Sequence, residues 1–120
     1  MASYWPLLAG VASPAQAEKM VKYLRDPQEF GGNYPTPTLS RRDRDYHDQT
    51  GDYWRGGIWL PTTYMTVKAL EEYGYHEEAD MIAEKIIRQQ LAAYHGIKPH
   101  TIWECYSPSA NEPSTEHGRR

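Results

Sequence analysis

The feature that most limits the fold is a pair of apolar stripes joined by Tyr73-Gly74-Tyr75. Between Thr62 and Tyr73, the residues Tyr64, Val67, Leu70 and Tyr73 recur at every third position. From about His76 to Tyr94, Ala79, Ile82, Ala83, Ile86 and Ile87 form a wide apolar face, with Glu77, Glu84 and Arg88 opposite. Both patterns have helical spacing. Glycine at 74 suits the residue just past a helix end, where the backbone turns left-handed, and Gly96 is expected to close the second helix. So short a connection allows only an antiparallel helical pair. Gln90 projects onto the apolar face and is expected to find a hydrogen-bond partner there.

A third helix is expected upstream. Ser13-Pro14-Ala15-Gln16 has the residues of a capping box with proline at the first helical position. Ala17, Met20, Val21 and Leu24 follow on one face, and Asp26-Pro27 stops the helix because the residue before proline avoids the α region. Before it, Tyr4, Trp5, Leu7, Leu8 and Val11 form an apolar arm in which Pro6 prevents a continuous helix, leaving an extended segment or one helical turn. Residues 28–52 lack any sustained period, and Gly31-Gly32-Asn33, Pro35, Pro37 and Gly51 mark turns. A loop this long with Phe30, Tyr34 and Tyr46 in it reads as ordered and binding-competent. The mixed run Arg41-Arg42-Asp43-Arg44-Asp45 reads as solvated and self-paired. Residues 97–108 read as loop or short extended structure. From Ser109 the chain turns to Ser, Asn, Glu, Pro, Gly and Arg, so residues 109–120 are expected to form a flexible tail. The whole is all-α with long ordered loops, and its hairpin plus a partial second one suggest a piece of a larger helical array.

Composition narrows the chemistry. A net charge of -3 argues against a nucleic-acid partner. No apolar run reaches membrane length, and the first residues lack the basic and apolar regions of a signal peptide. Cys105 stands alone, which excludes an internal disulfide framework and a thiolate metal cluster. The histidines lack ligand spacing, and Asp43, Asp45, His47 and Asp48 match a calcium loop only loosely, without a glycine at its sixth position. Neither a metal nor another cofactor is expected. No serine sits in a nucleophile elbow. Cys105, with Glu104 beside it and His100 nearby, is the one candidate thiol nucleophile. Ten tyrosines and four tryptophans against one phenylalanine favour polar-tipped aromatics, as a polyhydroxylated ligand would.

Those aromatics concentrate in Tyr53-Trp54-Arg55-Gly56-Gly57-Ile58-Trp59-Leu60-Pro61. Flat apolar faces beside the rigid donor fork of an arginine suit a sugar ring, with its C–H faces and rim of hydroxyls. An aromatic core corner is the alternative. Glu104 lies between Trp103 and Cys105-Tyr106, in a segment with few other charges. A carboxylate among large apolar groups suits general acid or base work, and a glutamate paired with an arginine is the alternative.

The stretch Tyr53–Tyr64 resembles the Tyr-Trp-Arg-Gly-Pro-Ile-Trp signature of family 63 glycoside hydrolases. That family includes processing α-glucosidases and mannosylglycerate hydrolases and is related to trehalases. Ile102-Trp103-Glu104-Cys105-Tyr106-Ser107-Pro108 is similar to the family's Glu-x-Tyr-x-Pro segment. Pro6-Leu7-Leu8-Ala9-Gly10 and Pro35-Thr36-Pro37-Thr38-Leu39-Ser40 also match, so the resemblance covers most of residues 4–108. It implies a toroid of helical hairpins around a sugar-binding cavity, and hydrolysis that inverts the anomeric centre. It makes residues 1–108 a partial toroid. It places the general base at Glu104 and substrate-binding groups at Tyr53, Trp54, Arg55, Gly56, Trp59 and Trp103. Gly57 stands where the family has proline, which is expected to leave that turn less rigid. The family's general acid, an aspartate in a Gly-x-Asp-x-Ser-Pro type segment, has no counterpart in these 120 residues, and Asp43, Asp45 or Asp52 could replace it only by coincidence. The resemblance thus implies the C-terminal part of an inverting α-glycosidase, cut on both sides, with a carbohydrate as partner and exposed helix faces that favour homo-oligomers. A carbohydrate-binding module without chemistry, and a purely helical interaction module, are the alternatives.

Overall fold

In a computed structural model that describes residues 2–116, the chain is built from a 3-10 turn, four α-helices and a two-stranded antiparallel ladder. The 3-10 turn Ala2–Tyr4 leads into α1 (Trp5–Leu8), the one helical turn that Pro6 allows. The first turn has amides without intrahelical partners, and proline costs nothing there. Then α2 (Pro14–Arg25) begins with the capping box: the Gln16 amide donates to the Ser13 hydroxyl at 3.2 Å, and the Ser13 amide donates to the Gln16 side chain at 2.8 Å. It ends at Asp26, extended ahead of Pro27.

The next elements are β1 (Ile58–Trp59), α3 (Leu60–Glu72), α4 (His76–Gly96) and β2 (Cys105–Tyr106). Pro61 lies in the first turn of α3, which therefore starts earlier than the apolar spacing indicates. Gly74 adopts φ +81° just past its end, as the hairpin needs. Both helices pack together, and α1 packs on α3. Tyr4, Leu7, Val21, Leu24, Ile58, Leu70, Ile82, Ile86 and Tyr106 fill the core. Tyr4 closes its outer end, with its ring edge-on to Phe30 and its hydroxyl on the Met20 carbonyl at 3.1 Å.

Within α4 it is Gln89, not Gln90, that faces inward. Its amide donates to the carbonyls of Ser107 at 2.7 Å and Ala110 at 2.8 Å, tying α4 to the segment after β2. Gln90 lines an apolar groove between α3 and α4.

The long loop is ordered by one cation. The Arg41 guanidinium donates to the carbonyls of Glu29 (3.1 Å), Gly31 (2.9 Å) and Tyr34 (2.6 Å). Arg42 pairs with Asp26 and Glu29, and only Arg44–Asp45 pairs within the run. Arg42 to Asp45 are exposed, as a solvated stretch would be, but the run is not self-paired throughout, because a folded-back loop leaves carbonyls that need donors. The buried hydroxyls of Thr36 and Thr63 meet at 2.7 Å and pin the loop to α3.

Strand β1 pairs with β2 in the register Ile58↔Tyr106 and Trp59↔Cys105, a β element absent from the all-α expectation. The chain then turns back. Pro113 bridges to Tyr106, and Pro113 and Ser114 are buried. A flexible tail from Ser109 is thus not what is found as far as Glu116, since these residues satisfy carbonyls of the loop and of β2. Residues 117–120 of the expected tail lie outside the described residues.

Candidate functional site

The ladder brings the aromatic stretch and the Glu104 segment side by side. Trp59 pairs with Cys105, and Glu104 directly precedes that pair. Trp54 stacks on Trp59 with ring centroids 4.2 Å apart and planes 5° from parallel. Trp59 is only 7% exposed while Trp54 is 53% exposed. The buried indole is thus a floor, and the outer one presents a flat apolar face to solvent. Tyr53 stands edge-on to Trp59 at 4.5 Å and to Trp54 at 5.9 Å. The Trp59 indole N–H donates to the Tyr53 carbonyl at 3.2 Å, which fixes that floor.

Tight backbone makes this corner. Asp52 and Tyr53 have φ of +30° and +64°, a region that a bulky aromatic enters only when its surroundings hold it there. Gly56 has φ +139°, and a Cβ there would meet the Tyr46 ring at 2.6 Å. The Gly57 amide donates to the carbonyls of both Gly51 and Tyr53, each at 3.1 Å. The turn is therefore fastened through the N–H that proline lacks, against the expectation of a looser turn at Gly57.

Arg55 holds the loop: its Nε donates to the Asp45 carbonyl at 3.0 Å and its Nη1 to the Asp52 carboxylate at 3.1 Å. Its side chain is about half-exposed beside these partners. Trp103 packs against the core instead of joining the tryptophan stack. Its amide donates to the Tyr106 hydroxyl at 3.2 Å.

Glu104 is exposed, not enclosed by its apolar sequence neighbours. Glu104 sits in the bend just before β2, whose residues Cys105 and Tyr106 are both buried, and its carboxylate stays outside. Its close partner is Tyr53. Loss of water, then the charge of Glu104 and that of Glu116, and hydrogen bonding to Glu104, push the Tyr53 phenol above its usual range. The phenol thus keeps its proton beside that carboxylate. Cys105 is buried, and desolvation raises its thiol, which rules against the nucleophile that His100 and Glu104 suggested. His100 instead approaches the Tyr94 carbonyl at 2.6 Å. Of the three aspartates considered as a substitute acid, Asp52 is paired with Arg55, Asp45 with Arg44, and Asp43 caps the Asp45 amide at 2.9 Å. Among the described residues, no three His, Cys, Asp or Glu side chains gather as a metal site. No described helix is long and apolar enough to cross a membrane.

Two residues of this corner were not read from the sequence. Ser114 accepts from the Tyr53 amide at 3.3 Å, and Glu116 contributes charge at the Tyr53 phenol. Both stand in a stretch of tail-like composition with no periodic signal.

Known proteins share this arrangement of segments. The family model described as the mannosylglycerate hydrolase MGH1-like glycoside hydrolase domain matches residues 1–119. The mannosylglycerate hydrolase MGH1 of Selaginella moellendorffii is 32% identical over 110 residues, 89% of this chain and 20% of that protein. The mannosyl-oligosaccharide glucosidase of Saccharomyces cerevisiae is 31% identical over 97 residues, 74% of this chain and 12% of that protein. The crystal structure of the family 63 mannosylglycerate hydrolase from Thermus thermophilus in complex with glucose superposes with a TM-score of 0.76 at 18% identity, over 94% of this chain and 26% of that one. The fold is therefore that of part of a family 63 structure, and the chain spans roughly a quarter or less of the curated relatives' length. It belongs to the MGH1-like family of glycoside hydrolases, which includes family 63 enzymes and is related to trehalases.

Proposed function

We propose that this chain is the part of an inverting α-glycosidase that carries the general base and one wall of the sugar site. The observation that carries this reading is the exposed Trp54 face stacked on the buried Trp59, whose strand partner Cys105 directly follows the exposed Glu104. A sugar ring stacks its C–H face on Trp54, backed by Trp59. The Glu104 carboxylate takes a proton from water as that water attacks the anomeric carbon. A second carboxyl group, about 6.5–9.5 Å away, protonates the departing oxygen. The sequence offers no segment like the one that carries the family's acid, so that group belongs to the rest of the catalytic toroid. The relatives' names point to α-glucosidic or mannosylglycerate-type bonds, and a relative solved with glucose supports a sugar as the ligand class. The apolar groove of ≈ 220 Å³ between α3 and α4, lined by Leu60, Val67, Ile86 and Ile87, is a contact face for helices, and in the isolated chain it promotes homo-oligomers.

Isothermal titration with glucose and 1-deoxynojirimycin tests the wall. The chain is expected to bind both, Trp54→Ala to lose both while its circular dichroism is kept, and Glu104→Gln to weaken the cationic imino sugar more than glucose. A folded chain that ignores both ligands, or Trp54→Ala with unchanged affinity, would sink the proposal. The chain alone is expected not to turn over α-glucosides. Enzyme-like turnover that Glu104→Gln abolishes would mean that the acid is present after all.

A further inference from the structure

Ser114 is 6% exposed and is bonded to both halves of the site. Its amide donates to the Cys105 carbonyl at 3.0 Å, one residue from Glu104. Its hydroxyl donates to the Thr50 carbonyl at 2.5 Å and accepts from the Tyr53 amide at 3.3 Å. A Cβ on Gly57 would approach that hydroxyl to 3.0 Å, so the serine is seated against the glycine turn as well. One small side chain thus closes the 50–53 turn from below and fastens it to the strand that follows Glu104.

The turn needs such a fastening. Tyr53 lies at φ +64° and its neighbour Asp52 at φ +30°, and neither has the freedom of glycine. Without a partner on its amide, Tyr53 would relax toward the ordinary right-handed or extended regions. That rotation would carry the phenol away from Glu104. It would also move the carbonyl that receives the Trp59 indole and the Gly57 amide, loosening the floor beneath Trp54.

We infer that Ser114 is a positioning residue of this site: its hydroxyl holds Tyr53 left-handed, so that the Tyr53 carbonyl keeps the Trp59 indole in place and the tryptophan stack stays flat beside Glu104. The assignment rests on the reading of Glu104 and Trp54 as base and wall, while the geometric effect on Tyr53 can be measured without any ligand. The segment around Ser114 contains an internal control. Ser109 uses its hydroxyl on the Asp48 carbonyl and touches neither Tyr53 nor Cys105 among its hydrogen bonds.

The test compares the 120-residue chain with Ser114→Ala, Ser114→Thr and Ser109→Ala. Readouts are Tyr53 amide exchange by NMR, the near-ultraviolet exciton couplet of Trp54 and Trp59, and affinity for 1-deoxynojirimycin. Ser114→Ala is expected to speed Tyr53 exchange about three- to tenfold, as loss of one hydrogen bond does, to weaken the couplet and to lower affinity. Ser114→Thr keeps the hydroxyl and is expected to restore all three, and Ser109→Ala to leave them unchanged. Should Ser114→Ala not fold, Ser114→Cys, near in size and a weaker partner, reports the same exchange and couplet. Unchanged Tyr53 exchange and couplet in the alanine or cysteine variant would overturn the positioning role. So would an equal loss in Ser109→Ala, which would mean that the segment merely docks. A wild-type chain with an intact couplet and no affinity for the imino sugar would count against the carbohydrate reading alone.

Discussion

Gly57 is a position where any side chain meets a tight backbone limit. A Cβ there would run into the Tyr53 carbonyl, and proline would also remove the amide that donates to Gly51 and Tyr53. Gly57→Pro is therefore expected to cost about 3 kcal/mol or more, read as a fall in the urea midpoint. Gly74→Ala, with φ +81° but open space around it, should cost only about 1 kcal/mol. A second residue-scale expectation concerns Cys105. Burial raises its thiol, and only the thiolate reacts, so iodoacetamide should modify the folded chain far more slowly than the urea-unfolded chain at pH 8, with the gap narrowing as pH climbs. Equal rates would show that the thiol is open. The closeness of Trp54 and Trp59 was legible, because aromatics concentrate around the two glycines between them. The setting of Glu104 was not, since the bend before β2 exposes it while its sequence neighbours Trp103 and Cys105 pack inward.

Among the elements, the helices were legible and the loop was not, for a physical reason. The start of α2 is written locally, in Ser13 and Gln16, and its stop in Asp26-Pro27. The loop before β1 is ordered by Arg41, whose three carbonyl partners have no sequence signature. Arg41→Ala is expected to cost about 1–3 kcal/mol by leaving those carbonyls unpaired, and Arg41→Lys should recover little, because one ammonium lacks the planar fork. Denaturant titration of both variants measures this, and full recovery by lysine would contradict the clamp. Between α2 and α4, Arg25 forms an ion pair with Glu78, and its hydrogen bonding holds the Glu78 carboxyl below its ordinary 4.5. A carboxylate lowered on folding adds stability that is present above its unfolded value and lost as pH falls through the folded one. The stability difference between the chain and Glu78→Gln should thus be present at pH 7 and be lost as pH falls through the lowered Glu78 value. Arg25 is half in solvent, so this difference should stay under about 1 kcal/mol. A difference that grew in acid would reverse the argument.

For the molecule as a whole, the wide apolar face of α4 divides into two stripes that periodicity cannot tell apart. Ala79, Ile82, Ile86 and Ala93 are buried against the rest of the fold, while Ile87, Leu91 and Tyr94 are exposed, with Tyr64 of α3 beside them. Both stripes have the same spacing, so sequence shows an apolar helix without showing which half its own chain covers. The chain superposes on only about a quarter of the Thermus relative, and on the toroid reading proposed above the second stripe is where a neighbouring hairpin would pack. Side chains of this size gain about 1.5–3 kcal/mol each on leaving water. The isolated chain, having no neighbouring hairpin on the groove, should satisfy them with a second copy. Sedimentation is expected to show mass rising with concentration, and Ile87→Asp with Leu91→Asp to return a monomer. Because both positions are exposed in the single chain, the thermal midpoint of that monomer should fall little. A wild-type chain that remains monomeric at its highest attainable concentration would place the stripe outside any self-contact, and a monomeric variant that unfolds early would mean that the two residues support the fold itself.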